Sequence, residues 1–307
     1  MEVKNFLGVY GHVIIDYIIE VPKLPEPNTS IQIDESKTFF GGTGANLARL
    51  ASHMGVKTAL ASFVGQDFPN EYFKVLKKGR VDITELKRID RYGTPKAWIF
   101  SDKQGNQCAI VDQGPMKKIK NLPLLTRAAK QSNWVHFGTG KPEYYLKIVR
   151  MAVDENRMVA LDPSQEIHYV YNAQNLRKMM NYSDIFFGNE SEVTKASKML
   201  RVDGVKGLLR RVPTVVETKG ASGSFVHEFD GTTKIPAIKP SKIVDYTGAG
   251  DAYRAGFYAG LNHDLDYVRC AALGSSVASF VLEVVGTQTI LPTYRKVFTR
   301  AKRTGLF

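Results

Sequence analysis

Residues 245–251 of this 307-residue chain read Asp245-Tyr246-Thr247-Gly248-Ala249-Gly250-Asp251, and a helix-compatible stretch of small and apolar residues follows. Glycine and alanine allow a phosphate to approach the backbone closely. The first N–H groups of a helix have no partner within the helix, and the helix dipole favours negative charge there. Asp251 adds a carboxylate that can accept a proton from an attacking hydroxyl. The stretch therefore predicts a phosphoryl-transfer site at a helix start.

Short β-branched runs alternate with helical patterns through much of the remaining chain. The predicted strands include Thr58–Val64, Trp134–Phe137, Val159–Asp162, Ile185–Gly188 and Val215–Thr218. The predicted helices include Asn46–Met54, Glu71–Lys78, Glu143–Glu155, Gln174–Met180 and Glu190–Lys198. This alternation indicates an α/β fold, in which helices cover both faces of a mostly parallel sheet. No linker divides the chain, so we expect one domain over residues 1–307.

Two segments, residues 17–40 and 93–113, interrupt this alternation and predict a small antiparallel sheet. Five apolar residues would line one of its faces: Phe39, Phe40, Trp98, Phe100 and Ile110. A small sheet beside an α/β body can serve as a lid over an active site. A purely structural edge sheet is the alternative.

The composition is that of an ordinary globular protein, with 43% hydrophobic and 23% charged residues. No apolar run approaches the length of a membrane span, and the N-terminus lacks the features of a signal peptide, so we expect a cytoplasmic protein without a membrane partner. The net charge is +12, but its lysines and arginines are dispersed, so we expect no nucleic-acid partner. The two cysteines and six histidines show no metal-ligand spacing.

Two further motifs suit a hydroxyl-bearing ligand. Gly42 belongs to a glycine-rich helix start, and Asn46 lies one turn into that helix, where its amide can face a ligand. Asp16 follows the strand-like stretch Val13–Ile15 and can accept hydrogen bonds from two neighbouring hydroxyls of a sugar. Each motif also has an ordinary structural interpretation as a turn.

Two motifs at the predicted carboxyl ends of strands suit a nucleotide and its metal. Asn189 and Glu192 lie one helical turn apart, so both can face a hydrated Mg²⁺, although a helix cap explains the pair equally well. Thr218, Gly220 and Gly223 form either a loop along nucleotide phosphates or a hairpin turn.

The order of these motifs along the whole chain resembles the ribokinase-like family of carbohydrate and nucleoside kinases. The resemblance implies a three-layer α/β/α domain with a β-sheet lid. It implies ATP as the phosphate donor, Asp251 as the catalytic base and the amides of Gly248, Ala249 and Gly250 as an anion hole. Because the helix dipole favours a charged carboxylate, we expect a lowered pKa for Asp251.

The remaining motifs acquire roles through the same resemblance. Asn189 and Glu192 are implied to organise Mg²⁺ and phosphates, partly through water. Thr218, Gly220 and Gly223 match the nucleotide-binding turn, and Asp16, Gly42 and Asn46 match the positions that hold the acceptor's hydroxyls. Asp245 and Thr247 match residues near a monovalent-cation site, which raises K⁺ as a cofactor, although Tyr246 replaces a smaller residue between them.

The sequence leaves the acceptor open. Archaeal nucleoside kinases of this family are the members that the chain resembles most, which favours phosphorylation of a nucleoside 5′-hydroxyl, with Phe39, Phe40, Trp98 and Phe100 as the aromatic wall for a base and Gln113 as its polar partner. A sugar kinase of the ribokinase or fructokinase type is the alternative, and a catalytically silent binding protein is a third. The apolar face of the lid favours a homodimer through the lid.

Overall fold

The computed structural model describes residues 2–104 and 106–307. Its strands are β1 (Asn5–Tyr10), β2 (Ile14–Val21), β3 (Glu35–Gly41), β4 (Thr58–Gly65), β5 (Asp82–Ile89), β6 (Lys96–Asp102), β7 (Gln107–Asp112), β8 (Ser132–Phe137), β9 (Met158–Leu161), β10 (Ile185–Asn189), β11 (Thr214–Thr218), β12 (Ser224–Glu228) and β13 (Gly231–Ile235). Its α-helices are α1 (Thr43–His53), α2 (Asn70–Lys78), α3 (Arg127–Lys130), α4 (Pro142–Asp154), α5 (Ala173–Met180), α6 (Glu190–Leu200), α7 (Gly204–Leu208), α8 (Ala249–Leu261), α9 (Tyr267–Val281) and α10 (Tyr294–Ala301).

The large sheet has nine strands in the order β13-β12-β11-β10-β9-β8-β1-β4-β5. The strands from β5 to β11 pair in parallel, and β12 and β13 continue the sheet antiparallel. Such a parallel sheet needs cover on both faces, which explains why its central strands are mostly apolar, whereas the edge strand β5 carries charged residues. The predicted α/β class with a mostly parallel sheet is confirmed.

Hydrophobic side chains fill both faces of this sheet and make three layers. Neighbouring residues of one strand point to opposite faces, so Phe187 packs in one core with Phe257 of α8. Phe186 packs in the other core with Ile148 of α4 and Val193 of α6. This packing places the starts of α6 and α8 beside the carboxyl ends of the parallel strands.

The small sheet has four strands in the order β3-β2-β6-β7, which we call the lid. The prediction of a purely antiparallel sheet is wrong, since β2 pairs in parallel with β6 while the other pairs are antiparallel. Four elements, α1 to β5, lie between β3 and β6 in the chain. This long connection allows β6 to run in the same direction as β2. Residues 22–34 carry no strand, and Gly105, in the predicted turn before β7, lies outside the described residues.

Candidate active site

The start of α8 forms one wall of a cavity of about 560 Å³ between the body and the lid. Gly248 precedes the helix with φ of 75°, a left-handed conformation that favours glycine, and a methyl group there would overlap Thr287. No side chain of the described residues caps this helix. The amide of Ala249 donates to the carbonyl of Tyr246 at 3.3 Å, whereas no described residue accepts from the amides of Gly248 and Gly250. The first turn of α8 is therefore open to an anionic ligand at the cavity wall.

Asp251 lies in that first turn, and only 9% of its surface is exposed. Asn46 of α1 donates from Nδ2 to Asp251 Oδ2 at 2.8 Å. Gln288 in turn donates from Nε2 to Asn46 Oδ1 at 2.9 Å and to the hydroxyl of Tyr72 at 2.8 Å. This chain of hydrogen bonds fixes one carboxylate oxygen of Asp251 and the orientation of the Asn46 amide.

The expectation of a lowered pKa for Asp251 is wrong. Burial raises the pKa of Asp251 to about 6, although the hydrogen bond from Asn46 and the charge of Arg254 act in the opposite direction. Removing a carboxylate from water penalises its charged form by more than these favourable contacts recover. The result is a better proton acceptor than the helix dipole alone predicts.

Asp16 lines the same cavity from the lid side. The sequence indicated that Asp16 follows a strand, but it lies within β2, which continues up to Val21. Burial, together with the nearby charges of Asp251 and Asp245, raises the pKa of Asp16 to about 7. No side chain among the described residues donates a hydrogen bond to this carboxylate, so a ligand's hydroxyls can take that place.

Gly42 precedes α1 in the cavity wall with φ of 94°. A methyl group there would lie 2.5 Å from the carbonyl oxygen of His12, so the position requires glycine for space as well as conformation. Asn46 follows one turn later, as predicted, but its amide nitrogen is already bound to Asp251. The amide therefore orients the carboxylate as well as facing the cavity.

Asn189 and Glu192 also line the cavity, and they form the helix cap that the sequence allowed. Asn189 Oδ1 accepts from the amide of Glu192 at 2.9 Å, and Glu192 Oε2 accepts from the amide of Asn189 at 2.8 Å. Both elements of a capping box are present at the start of α6. One carboxylate oxygen of Glu192 remains available to a ligand.

The described residues fit a hydrated Mg²⁺ rather than a metal held in a protein cage. No group of three or more histidine, cysteine, aspartate or glutamate side chains in the described ranges could hold a metal. Mg²⁺ keeps several waters and commonly takes one or two carboxylates together with phosphate oxygens. Glu192 could supply the carboxylate and Asn189 a second oxygen, and the role of this pair stays a prediction.

The segment from Thr218 to Gly223 joins two strands and touches the cavity. β11 and β12 pair antiparallel, with Thr218 opposite Ser224, so the predicted hairpin is present. Thr218 and Gly220 line the cavity, whereas Gly223 does not. Gly223 has φ of 94°, and a methyl group there would overlap the carbonyl of Ile235. The segment is therefore a hairpin whose turn also reaches the cavity, so the two interpretations do not exclude each other.

Asp245 and Thr247 lie beside the start of α8. The carboxylate of Asp245 accepts from the amide of Thr247 at 2.9 Å and from the amide of Gly286 at 3.1 Å. Thr247 lines the cavity, and Tyr246 lines it as well while 74% of its surface is exposed. Asp245 thus holds two backbone segments together behind the cavity.

Of the predicted aromatic wall, only Phe39 lies on the lid face that looks toward the cavity, opposite Asp16, and it is not among the residues that line the cavity. Alternation within β6 points Trp98 and Phe100 away from it, and Trp98 stacks on Tyr17 at 6.1 Å. Phe40 stacks on Tyr72 at 4.3 Å. The lid instead contributes the aliphatic side chains Ile14, Ala97, Ile99, Ala109 and Val111.

Two buried clusters at the cavity have contacts that the sequence did not predict. Gln113, expected to contact a base, donates to Glu166 Oε1 at 2.6 Å. The same carboxylate lies 3.3 Å from His12 Nε2 and accepts from the amide of Gly140 at 2.5 Å. In the second cluster, the buried Arg254 pairs with Asp162. Both clusters join distant segments, and no local motif marks them.

Known proteins show the same family and fold. A family model described as pfkB family carbohydrate kinase matches residues 4–294. The nucleoside kinase of Methanocaldococcus jannaschii is 39% identical over 294 residues, covering 95% of each chain. That of Methanothermobacter thermautotrophicus is 36% identical, covering 95% of this chain and 93% of its own. The crystal structure of the M. jannaschii nucleoside kinase, an archaeal member of the ribokinase family, matches with a TM-score of 0.91 and 37% identity over 99% of this chain and 100% of that one. The chain therefore belongs to the pfkB family of carbohydrate kinases and is a phosphotransferase with a hydroxyl acceptor.

Proposed function

We propose that this protein is a nucleoside kinase that transfers the γ-phosphoryl group of ATP to the 5′-hydroxyl of a nucleoside. The observation that carries the proposal is the buried carboxylate of Asp251, which Asn46 orients at the uncapped start of α8. Asp16 faces the same cavity from the lid, where it can hold the hydroxyls of a ribose. The similarity to archaeal proteins named nucleoside kinase supports the choice of acceptor.

In the proposed reaction the 5′-oxygen attacks the γ-phosphorus while the bond to the β–γ bridging oxygen breaks, and ADP leaves. Asp251 accepts the hydroxyl proton. The amides of Gly248 and Gly250 donate to the oxygens of the transferred group, where negative charge is concentrated, and the amide of Ala249 joins them by giving up its 3.3 Å bond to the carbonyl of Tyr246. A pKa near 6 leaves Asp251 charged at neutral pH and still a useful base.

The other cavity residues would hold the donor. Thr218 and Gly220 lie where the nucleotide's phosphates can pass along the hairpin, and Gly223 fixes the shape of that hairpin. Asn189 and Glu192 would hold Mg²⁺, partly through water, and the bound ion neutralises phosphate charge. Asp245 and Thr247 would lie near K⁺, although both oxygens of the Asp245 carboxylate already accept backbone hydrogen bonds.

A neutral sugar is the second candidate acceptor. The aliphatic wall under the lid favours it, since a nucleobase usually binds against at least one aromatic side chain. Tyr169 and Tyr246 line the cavity and are largely exposed, so they can supply such a surface. We therefore keep the nucleoside as the first choice. A catalytically silent binding protein is the least supported function, because Asp251 and the Asn189–Glu192 pair are both intact.

The lid and the partners remain proposals of the same kind. We propose that the four-stranded sheet closes over the acceptor, within a single domain of residues 1–307. Its outer face carries Ile110, which is 62% exposed, and this supports a homodimer through the lid. No helix of the described residues combines the length and apolar character of a membrane span. We propose a cytoplasmic enzyme that binds neither membrane nor nucleic acid.

ADP release with ATP, Mg²⁺ and a panel of acceptors tests the proposal. The panel comprises inosine, guanosine, adenosine, cytidine, ribose, fructose and 2-keto-3-deoxygluconate. We expect turnover with at least one nucleoside and phosphorylation at its 5′-oxygen, seen by ³¹P NMR. Activity on fructose and none on any nucleoside would replace the first choice with the second.

The Asp251→Asn variant tests the chemistry independently of the acceptor. We expect turnover to fall about 1,000-fold, because the amide cannot accept the proton, while ATP binding stays close to that of the unmodified protein. Isothermal calorimetry measures the binding. Near-normal turnover in this variant would remove Asp251 from the role of base.

A further inference from the structure

Arg254 is a buried cation in the wall of the cavity. It lies in α8, one turn beyond Gly250, and only 6% of its surface is exposed. Burying a guanidinium is costly unless it is paired and hydrogen-bonded. Its position three residues after Asp251 places it behind the helix start that would receive the phosphoryl group.

Asp162 holds one edge of this guanidinium. Nη2 of Arg254 donates to Asp162 Oδ1 at 2.7 Å, and Nε lies against Oδ2 of the same carboxylate. Asp162 is itself anchored just after β9, where its amide donates to the carbonyl of Phe137 at 2.8 Å. His136 Nε2 lies 3.6 Å from Asp162 Oδ2, and its Nδ1 contacts the hydroxyl of Tyr258 at 3.0 Å. These contacts hold the guanidinium of Arg254 in one orientation.

The third nitrogen of the guanidinium, Nη1, faces the anion-binding turn. A methyl group on Gly250 would lie 2.5 Å from Nη1, so this nitrogen occupies the space directly beside that glycine. Among the described residues no oxygen accepts a hydrogen bond from Nη1. Glu192 and Asp251 interact with Arg254 electrostatically, but neither carboxylate is hydrogen-bonded to it. A donor with a fixed direction and no acceptor thus lies next to the turn that is open to an anion.

We propose that Arg254 is a further catalytic residue, whose Nη1 donates to an oxygen of the transferred phosphoryl group, and that Asp162 is the residue that positions it. Arginine suits this role because its planar fork can bind a carboxylate along one edge and a phosphate oxygen along the other. The guanidinium stays protonated throughout, so the proton of the acceptor hydroxyl still goes to Asp251. The inference rests on the proposed kinase function and extends it by one residue.

A purely structural role predicts a different pattern of variants. If Arg254 only neutralises Asp162, removing both charges together should restore activity. If it acts only by keeping Asp251 deprotonated, raising the pH should restore activity. If it donates to the phosphoryl group, neither change restores it. The three roles are therefore separable.

The experiment compares Arg254→Gln and the double variant Arg254→Gln with Asp162→Asn, each at neutral pH and at about pH 8.5, where Asp251 is charged. We expect kcat to fall about 100-fold in both variants at both pH values, with the KM of the acceptor little changed. Recovery of kcat to within about threefold in the double variant, or at the higher pH, would overturn the proposal.

Two further variants keep the test decisive. Arg300→Gln breaks a largely buried ion pair with Glu283 (Nη1 to Oε1, 3.1 Å), and neither residue lines the cavity, so it should lower the melting temperature without changing kcat. If the double variant does not fold, Arg254→Lys keeps the positive charge but replaces the planar guanidinium by an ammonium group. A fall of about tenfold in kcat at unchanged acceptor KM then supports the proposal, and an unchanged kcat overturns it. Absence of turnover in the unmodified protein would instead contradict the proposed function.

Discussion

Of the α-helices that begin at the cavity, α6 and α8 have starts that are built in opposite ways. At α6, Asn189 and Glu192 satisfy each other's backbone amides through their side chains. At α8, Gly248 has no side chain to offer, and no described side chain caps the helix. A helix start binds an anion through its unpaired amides, so α8 can do so and the capped α6 is less suited to it.

Because of this difference, the start of α8 presents backbone amides to the cavity and the start of α6 presents a carboxylate. The cap of α6 uses one oxygen of Glu192 and leaves the other toward the cavity, so α6 presents negative charge to a cation. The open turn of α8 presents N–H groups to a phosphate, with Asp251 beside them. Positive and negative ends of a metal–nucleotide complex could therefore meet different helix starts.

Of the changes at these two helix starts, distorting the open start of α8 should have the largest effect. In Gly248→Ala, the methyl group would overlap Thr287 and the residue would be held at φ of 75°. We expect kcat to fall about 100-fold, because the amides of the turn shift from the phosphoryl oxygens. Steady-state kinetics on the folded variant, checked by circular dichroism, measures this.

Gly55→Ala is the matched control for that variant. Gly55 follows α1 at φ of 96°, and no atom lies within 4 Å of the added methyl group. The substitution carries the same kind of backbone strain without the overlap, so it should lower the free energy of unfolding by about 1 kcal/mol. Its kcat should stay unchanged. An equal loss of kcat in both variants would show that strain, not the geometry of the turn, explains the effect.

The sequence predicted the start of α8 well because its information is local. Seven consecutive residues contain the glycine conformation, the small side chains and the acid, and the neighbouring strands are continuous apolar runs. The cap of α6 was foreseen for the same reason, since Asn189 and Glu192 lie three positions apart. The apolar periodicity also sufficed for the three layers and the parallel sheet.

The missed features depend on contacts between distant segments. Arg254 and Asp162 are 92 positions apart, and Asn46 and Gln288 are 242 apart, so no spacing rule connects either pair. The raised pKa of Asp251 depends on burial, which only the packed structure shows. The direction of β6 and the side on which Trp98 points depend on how the chain re-enters the lid.

Removing charge from the capped helix start should have a smaller effect. In Glu192→Gln, the amide oxygen can still accept from the amide of Asn189, so the capping box survives while the negative charge is lost. We expect the Mg²⁺ concentration for half-maximal activity to rise about tenfold with little change in melting temperature. Titration of activity with Mg²⁺ at saturating ATP measures this.

The capping box of α5 provides the control for Glu192. Asn172 and Asn175 form the same reciprocal cap. Asn172→Ala should lower the free energy of unfolding by about 1 kcal/mol and leave the Mg²⁺ dependence unchanged. If Glu192→Gln also lowers stability and leaves the Mg²⁺ dependence unchanged, the Asn189–Glu192 pair only caps its helix.

The smallest expected effect is a shift in the acid limb of the pH profile. Burial raises the pKa of Asp251 to about 6, so kcat should fall as the pH drops below this value and the base becomes protonated. The hydrogen bond from Asn46 favours the charged carboxylate and lowers that pKa, as does the charge of Arg254, whereas the charge of Glu192 raises it. Asn46→Ala removes the first of these contributions, so its acid limb should begin at a higher pH, by about one unit or less. Because kcat at saturating acceptor reports the bound complex, measuring it against pH separates this shift from weaker binding of the acceptor. A limb that stays in place, or moves to lower pH, would show that Asn46 does not tune the base.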